Sequence, residues 1–435
     1  MADLRIKRAD GSFAEPSAVR ILQGGRWQDA ADVRVVGHED QPSSQDSESY
    51  VFVDGDTLDT QKQRVNNGEE QFVTAYNTLV DDANTALSVG LKSVTDDGGG
   101  HEFTADTNGR HDYMAAIDMS GSARDCGLAY WFTGDDDYAK KVVDIVHHWC
   151  LGDSTYMTPT TDVANNAATI EQHITIPAFM YAASFVRDHP RWDAYDGTRP
   201  WDGGTSADAE AAFARWVEDR YDTFPDSQPG YCEYNNKWAW RIVDRAASGA
   251  YLQNDAYVAK AKTMWQARDE ITCPDGSTRL RPWHDYKNQR RDGRAYDGSA
   301  DPANDALFQH ELNRSNGFHY SQYNLKALAI GLLVFEAYDG TTLWGFNAPQ
   351  DDYSGSSLRK AFNWMAPYVR DTAAWRWDDA GIPSSDVEAA ASVFELAHRH
   401  WGRYNGVLDD PDGVGGRPHH ERRLLGPVTL THGSP

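Results

Sequence analysis

The segment RSNGFHYSQYNLKAL sets an arginine, a histidine and a tyrosine where an amphipathic helix is predicted to begin. Apolar residues recur at helical spacing and form a predicted buried stripe: Leu325, Leu328, Ala329 and Leu332. At about 100° per residue, Tyr320 lies roughly 140° away from this stripe and so faces out of the core. Arg314 precedes it across an Asn-Gly turn, which lets the guanidinium approach the phenol and favour phenolate. This pattern predicts a tyrosine base. The alternative is that Tyr320 and Tyr323 are rim aromatics.

A second polar group of residues lies in the segment EYNNKWAWR. Asn235 or Asn236 can cap the helix that begins there, and capping is the simplest interpretation. Capping explains one asparagine but not a second one that is followed by Lys237, Trp238 and Arg241. The segment therefore predicts a sugar-binding or catalytic role.

Three histidines complete the candidate substrate-binding residues. His111 lies with Tyr113 in the segment NGRHDYM, which has the composition of a loop. His173 follows Glu171 on a predicted helix, where it is either a substrate contact or a core histidine with its hydrogen bonds satisfied. His319 directly precedes the candidate tyrosine.

The composition excludes several classes of partner. The 435-residue chain has 41 Lys and Arg against 66 Asp and Glu, for a formal charge of −25. This acidity argues against nucleic acid and against anionic membrane surfaces, and a polyanionic substrate would need a local basic pocket. The acid excess is mainly aspartate, as in a halophilic surface. The alternative is an ordinary acidic protein.

The four cysteines, Cys126, Cys150, Cys232 and Cys273, have no CxxC spacing and no clustered histidines, so a structural zinc site is not expected. Buried thiols are expected rather than a disulfide framework, with a single disulfide as the alternative. No apolar run reaches membrane length, which predicts no membrane insertion. The start, MADLRIKRADG, lacks the apolar core of a secretory signal, so export would use another route.

The chain is expected to have four parts. Residues 1–40 carry strand patterns around positions 19–21 and 33–35, joined through a Gly-Gly pair, and predict a small β segment that docks on a partner or on copies of itself. Residues 41–54 are predicted to be a linker. Residues 55–405 are predicted to be helical, and 406–435 to be a C-terminal tail.

The helical part is expected to consist of antiparallel hairpins. One predicted helix covers positions 120–131 and ends at Gly134, and Asp135 caps the next. The buried face of that second helix is predicted to be Tyr138, Val142, Ile145, Val146 and Trp149. Similar patterns occur at 66–89, 168–187, 207–222, 236–252, 255–271, 319–338, 357–370 and 387–404. Hairpins in series predict a toroid or a solenoid, and the lack of a fixed sequence period favours the closed toroid.

Several segments, in order, resemble the alginate lyase-like family of polysaccharide lyases. They are GRHDYM, GLAYWFTGDDDYAKKVVDIVHHWCLGDSTYMTP, YNNKWAWR and GFHYSQYNLKALA, and the likeness runs from about residue 55 to 345. The resemblance implies an (α/α) toroid. It also implies that Tyr320 abstracts the C-5 proton of a uronate or protonates the leaving O-4, that Arg314 supports it, and that Asn236 helps to neutralise the substrate carboxylate.

This chemistry needs no metal or other cofactor. Removing a proton beside a carboxylate builds a dianion, so donors or cations must neutralise it, and Asn236, Lys237 and Arg314 are suitable. One tyrosine can act as both base and acid when the proton and the leaving group lie on the same face. The expected substrate is an acidic polysaccharide with 4-linked uronates.

The sequence departs from the family where Asn-Asn-His is usual, because Lys237 stands in the histidine position. Lysine is a poor base at neutral pH, although it can neutralise a carboxylate. Substrates that need a base on the opposite face would then depend on His173 or His319. This departure motivates a second hypothesis, a glycan-binding module on a lyase-like fold that no longer cleaves.

The segment ILQGGRWQDAADVRV resembles short strands at the start of some tailed-virus fibre and tail proteins. Together with the acidic composition, this favours an extracellular haloarchaeal virus tail protein that acts on host surface glycans and contacts other tail proteins through residues 1–40. The alternative is a secreted or cytoplasmic lyase with a small additional β piece.

Overall fold

The computed structural model describes residues 48–105, 109–161, 166–224, 236–266, 309–312, 315–346, 357–375, 381–409 and 416–434, together with short strands at 6–7, 13–14, 20–23, 26–29, 271–272 and 278–279. The chain divides into two compact units, Met1–Ser47 and Glu48–Pro435.

The first unit contains two antiparallel strand pairs. β1 (Ile6–Lys7) pairs with β2 (Phe13–Ala14), and β3 (Arg20–Gln23) pairs with β4 (Arg26–Asp29). A hairpin around position 20 is therefore present, but the partner strand is β4. Only two residues separate β3 from β4, which is the length of the commonest β-hairpin connections. The predicted strand at 33–35 lies outside the described residues.

The second unit opens with the strand pair β5 (Ser49–Tyr50) and β6 (Val53–Asp54). The helices that follow are α1 (Gly55–Asn66), α2 (Glu70–Ser88), α3 (His111–Thr133), α4 (Asp136–Cys150), α5 (Asn166–His173), α6 (Pro177–Ser184), α7 (Ala209–Asp222), α8 (Asn236–Tyr251), α9 (Asp255–Trp265), α10 (Gln309–Leu312), α11 (Gly317–Asp339), α12 (Leu358–Val369), α13 (Ser384–Trp401), α14 (Asn405–Leu408) and α15 (Val428–His432). The short pairs β7 (Thr198–Arg199) with β8 (Gly204–Thr205) and β9 (Ile271–Thr272) with β10 (Thr278–Arg279) lie between helices.

The hairpin of α3 and α4 forms as its sequence predicts. Gly134 ends α3 in the left-handed conformation, with a φ of 74°, and its N–H donates to the Tyr130 carbonyl. The Asp135 carboxylate caps α4 by accepting the Asp137 N–H at 3.0 Å. All five predicted face residues of α4 are buried. Both caps and the buried face are confirmed.

The start of α3 corrects one prediction. His111 and Tyr113 lie in the first turn of this helix and not in a loop. Arg110 takes the left-handed conformation just before the helix, and the Asp112 carboxylate accepts the Thr104 N–H at 2.6 Å. The helix therefore starts immediately after Arg110.

The second unit has the predicted mainly helical (α/α) toroid fold. α3 packs against α2, α4 and α6, and α8 packs against α9 and α11. Helix α8 is buried on all sides: every residue of it except Lys237 is buried. The buried residues include the four apolar positions of this segment, Trp240, Val243, Ala247 and Ala250. Lys237, near the start of α8, is therefore the residue of this helix that remains accessible to a ligand.

Residues 416–434 pack into the second unit. Leu424, Leu425 and Val428 are buried, and α15 contacts α1, α2 and α13. His432 contacts the beginning of the second unit through a 3.0 Å hydrogen bond between its Nε2 and the Phe52 carbonyl. The four-part division of the chain stays a prediction, but the described C-terminal residues belong to the compact core.

Cys126 and Cys150 are buried and free, while Cys232 and Cys273 lie outside the described residues. Among the helices that the structure describes, none is long and apolar enough to cross a membrane. Within the same described ranges, no group of three or more His, Cys, Asp or Glu side chains is placed to hold a metal ion.

Candidate functional site

Two adjoining pockets form a cleft at the start of α11. The tyrosine pocket encloses about 670 Å³ and is lined by Arg110, Tyr113, Ala167, Ile170, Glu171, Ile174, Asn236, Lys237, His319, Tyr320, Tyr323 and Arg423. The second pocket encloses about 520 Å³, and its additional lining residues include Met114, Ile117, Gln322, Lys326, Asp386, Glu388, Glu421 and Arg422. The pockets share Arg110, Tyr113, His319, Tyr323 and Arg423. A ligand longer than one sugar could therefore occupy both.

The fold brings together six of the predicted site residues. Tyr113, Asn236, Lys237, His319, Tyr320 and Tyr323 all line the tyrosine pocket. They come from the first turns of α3 and α8 and from the start of α11. Arg314 and Asn235 lie outside the described residues, so their proposed roles stay predictions.

Three aromatic side chains cluster at the start of α11. Tyr320 is half-buried and lines the pocket at the start of α11, whereas the helix is buried on every side from Asn324 to Phe335 and not along one stripe. The His319 ring stands edge-on to Tyr320, with 5.1 Å between ring centroids, and stacks on Tyr323 at 5.6 Å. Burial and the neighbouring Tyr113 raise the pKa of Tyr323 well above its ordinary value, so that phenol stays protonated.

His319 is held by a carboxylate from α13. Its Nδ1 lies 2.7 Å from Oδ1 of Asp386, and the histidine side chain is 38% exposed. A hydrogen bond to Asp386 places the proton of a neutral imidazole on Nδ1, which leaves Nε2 as the acceptor. His319 can therefore act as a base in the cleft. Asp386 could not be predicted as a partner of His319, because the two residues are 67 positions apart.

Asn236 is fixed by a buried glutamate. Its backbone N–H and its Nδ2 both donate to Oε1 of Glu311, at 2.5 and 2.8 Å. The Glu311 carboxylate lies at the N-terminus of α8, where the helix dipole favours negative charge. This contact holds the side-chain amide of Asn236 in the pocket wall, and it could not be predicted from sequence.

His173 does not line either pocket, and its surroundings favour the alternative of a core histidine; its contact with substrate stays a prediction. The ring is fully buried, Nδ1 lies 2.7 Å from Asp244 Oδ2, and the ring stacks on Phe224. Asp244 is also paired with the buried Arg220. Burial lowers the pKa of His173 to about 4, so the ring is neutral at pH 7.

Three further predicted binding residues also do not line either pocket. Trp238 and Arg241 are buried on α8, where the Arg241 guanidinium lies 5.6 Å from the Trp238 ring centroid. His111 is exposed at the start of α3. Their direct contact with substrate stays a prediction: Trp238 and Arg241 are buried within the helix packing, whereas His111 is exposed but lines neither pocket.

Two arginines that line the cleft, Arg110 and Arg423, were not among the predicted site residues. Arg110 donates from Nε to Oε1 of Glu171 at 2.8 Å, and its guanidinium lies 4.1 Å from the Tyr113 ring centroid. The Arg423 guanidinium lies 5.4 Å from the centroid of the same ring. Arg110 lies within the segment NGRHDYM, between Gly109 and His111, so the sequence did offer a signal for it. No sequence pattern links Arg423 with Tyr113, which lies far earlier in the chain.

A family model described as alginate lyase matches residues 39–297 and 283–375. The chain belongs to the alginate lyase family. No curated protein matches the chain. The match agrees with the resemblance of the sequence segments to this family of polysaccharide lyases.

Solved structures agree with the family fold. An alginate lyase from Bacteroides ovatus is 17% identical with a TM-score of 0.62, and the alignment covers 89% of this chain and 100% of that chain. Alginate lyase A1-III from Sphingomonas species A1 is 13% identical with a TM-score of 0.55, over 91% and 100% of the two chains. A histidine-to-alanine variant of A1-III complexed with a tetrasaccharide is 13% identical with a TM-score of 0.58, over 91% and 98%. At these identities the likeness shows the fold alone.

Proposed function

We propose that this alginate lyase family member cleaves 4-linked uronate polysaccharides by β-elimination, with Tyr320 transferring the proton. The observation that supports it most is the meeting of Tyr320, His319, Asn236 and Lys237 in one pocket. These side chains supply a proton carrier, a second base and two groups that can neutralise a carboxylate.

The first requirement of the reaction is to stabilise the dianion that forms when the C-5 proton leaves. The Asn236 amide and the Lys237 ammonium line the same pocket as Tyr320 and can donate hydrogen bonds to the uronate carboxylate. Lys237 is the accessible residue of α8, so its charge reaches the pocket. A cation that is already in place stabilises the developing charge without reorganisation.

The second requirement is proton transfer at C-5 and at the leaving O-4. Tyr320 can perform both steps when the proton and O-4 lie on one face of the sugar: it takes the C-5 proton as base, and it returns a proton to O-4 as the C–O bond breaks. For the opposite arrangement, His319 with Asp386 is the better-placed base, because His173 is fully buried.

The cleft also supplies the local positive charge that a polyanionic substrate needs on a chain of net charge −25. Its lining includes five cations, Arg110, Lys237, Lys326, Arg422 and Arg423, against four carboxylates, Glu171, Asp386, Glu388 and Glu421. A cleft with a small excess of positive charge favours a polyanion over the strongly acidic remainder of the chain.

The test is an ultraviolet assay for unsaturated uronate ends, run with the full chain on alginate, glucuronan and host-type surface glycans, in high and low salt. Cleavage of at least one uronate polymer is expected, with no product from a neutral glucan. Absence of product from every uronate polymer, with a folded protein, would contradict the proposal.

A second candidate function is a glycan-binding module that no longer cleaves, and the observation that favours it is Lys237 in the usual histidine position. The two functions differ in one measurement, because a binding module would retain affinity for uronate oligosaccharides and yield no unsaturated product. The Tyr320 and His319 geometry favours the lyase, since glycan binding needs no His–Asp pair beside a tyrosine.

An extracellular location on a haloarchaeal virus tail belongs to the same proposal. The support is the likeness of ILQGGRWQDAADVRV to tail-protein strands, the aspartate-rich composition and the separate compact unit Met1–Ser47. Mass spectrometry and antibody labelling of purified particles from the source would test it. A protein found only in cell extracts would instead indicate a cellular lyase.

A further inference from the structure

In the part of the chain that the structure describes, one cation in the wall between the two pockets, Arg423, forms no ion pair, although the nearby Glu421 carboxylate acts on its charge and Tyr323 hydrogen-bonds to it. Three other cations of the cleft are neutralised: Arg110 by Glu171, Lys326 by Glu421 and Arg422 by Glu388. Among the ion pairs that join described residues, none includes Arg423, although it is half-buried. A partly buried guanidinium that lacks a carboxylate can bind one from a ligand at little cost in lost internal contacts.

The backbone at Arg423 is fixed from two sides before any ligand arrives. The carboxylate of Glu421 accepts the N–H groups of three residues, Arg423 at 3.2 Å, Leu424 at 2.7 Å and Leu425 at 3.1 Å. Burial alone would raise the pKa of Glu421, but Lys326 and the backbone N–H groups outweigh it and hold the pKa at about 2. Arg124 of α3 donates to the Arg423 carbonyl at 3.2 Å.

The Arg423 side chain extends from this fixed loop to aromatic groups. Its guanidinium lies 5.4 Å from the Tyr113 ring centroid and is next to Tyr323, and both tyrosines line both pockets. Cation–π contacts orient a guanidinium but leave most of its N–H donors unused. An arginine held in this way suits two-pronged recognition of a carboxylate.

We propose that Arg423 binds the carboxylate of a second uronate, the neighbour of the residue held beside Tyr320. The inference rests on the proposed function and adds to it that the enzyme recognises at least two consecutive uronates. The second pocket also offers apolar surface for a sugar ring, from the half-exposed Met114 and from Ile117. A substrate with a neutral sugar at the second position should therefore bind more weakly.

The test uses the full chain with Tyr320→Phe to stop turnover, and calorimetry with uronate oligosaccharides of one to four residues. The parent should bind the tetramer more tightly than the monomer. Arg423→Gln should weaken tetramer binding about 10- to 100-fold, as expected for a lost charge-assisted contact, and change monomer binding little. Arg423→Lys should restore part of the loss, and Arg359→Gln, at an exposed position on α12, is the matched control.

The same length dependence in the parent and in Arg423→Gln would overturn the inference. Arg423→Met, which keeps the apolar stem over Tyr113, serves as a second neutral variant in case the glutamine variant does not fold. Cleavage assays without the Tyr320→Phe substitution distinguish failure of the Arg423 proposal from failure of the proposed lyase function. Cleavage that is unchanged by Arg423→Gln removes only this role, whereas no cleavage of any uronate polymer by the wild type removes the proposed function.

Discussion

The Nδ1 atom of His319 lies 2.7 Å from Oδ1 of Asp386, and the same histidine ring stands edge-on to Tyr320. Helix α11 supplies the two potential proton carriers at consecutive positions, and α13 supplies the carboxylate that orients one of them. The site therefore offers two candidate bases for proton removal. His319 depends on the Asp386 carboxylate for its orientation, whereas Tyr320 does not.

Tyr320→Phe is expected to abolish cleavage while leaving oligosaccharide binding nearly intact, because it removes the transferable proton and keeps the ring. A positioned general acid or base contributes typically about 10²–10⁴-fold to the rate. Tyr338→Phe is the matched control, since it removes a hydroxyl from the far end of the same helix, where it bonds Asp255. Undiminished turnover by a folded Tyr320→Phe would show that another group carries the proton.

Asp386→Asn is expected to slow cleavage selectively. The amide can donate to Nδ1 and so place the histidine proton on Nε2, which removes the base. Polymannuronate and polyguluronate differ in configuration at C-5, so only the polymer that needs the opposite-face base should lose rate, by about 10²-fold or more. Equal losses in kcat on both polymers would indicate that Asp386 supports the fold of the site and not this proton transfer.

Lys237→Ala is expected to lower kcat more than it weakens binding, because a cation at the uronate carboxylate gains strength as the dianion forms. Lys237→His should retain activity or widen the substrate range, since histidine is usual there in the family. Lys140→Ala, on the exposed surface of α4, is the control. Equal rates for wild type and Lys237→Ala at saturating substrate would leave Asn236 and Arg314 as the neutralising groups.

Stability should fall as the pH decreases below about 6.5. Burial lowers the pKa of His432 from 6.5 to about 3. Between these two pH values the unfolded chain binds a proton at His432 and the folded chain does not. Its contribution is complete above pH 6.5 and is lost at up to about 1.4 kcal/mol per pH unit as the pH falls toward 3. Chemical unfolding between pH 7 and 4 should show a shallower pH slope for His432→Gln. Parallel slopes would show that other groups dominate.

Low salt is expected to destabilise the protein if the aspartate-rich surface is an adaptation to salt. At a net charge of −25, like charges repel more strongly when screening is removed. Circular dichroism during dialysis into dilute buffer should show loss of helicity, and the melting temperature should rise with salt concentration. A melting temperature that does not depend on salt would remove the halophilic interpretation.

Local sequence determined several helices and some of their ends, although the predicted helix at 168–187 is divided into α5 and α6. Gly134 and Asp135 end one helix and begin the next through contacts within a few residues, and apolar spacing marked the buried face of α4. The same periodicity predicted that Tyr320 faces out of the core, and Tyr320 lines the pocket. Because caps and helical periodicity depend on near neighbours, they can be predicted without knowing the fold.

Tertiary structure decided which of the candidate residues share a pocket and what holds them. Tyr320 and Lys237 meet only because α8 and α11 pack together, whereas His173 turns inward to Asp244 although its local sequence resembles that of a site residue. Glu311, Asp386 and Arg423 come from distant segments, and no local pattern marks them. Their roles depend on distances between elements, which are set by packing of the whole toroid and not by the sequence around each residue.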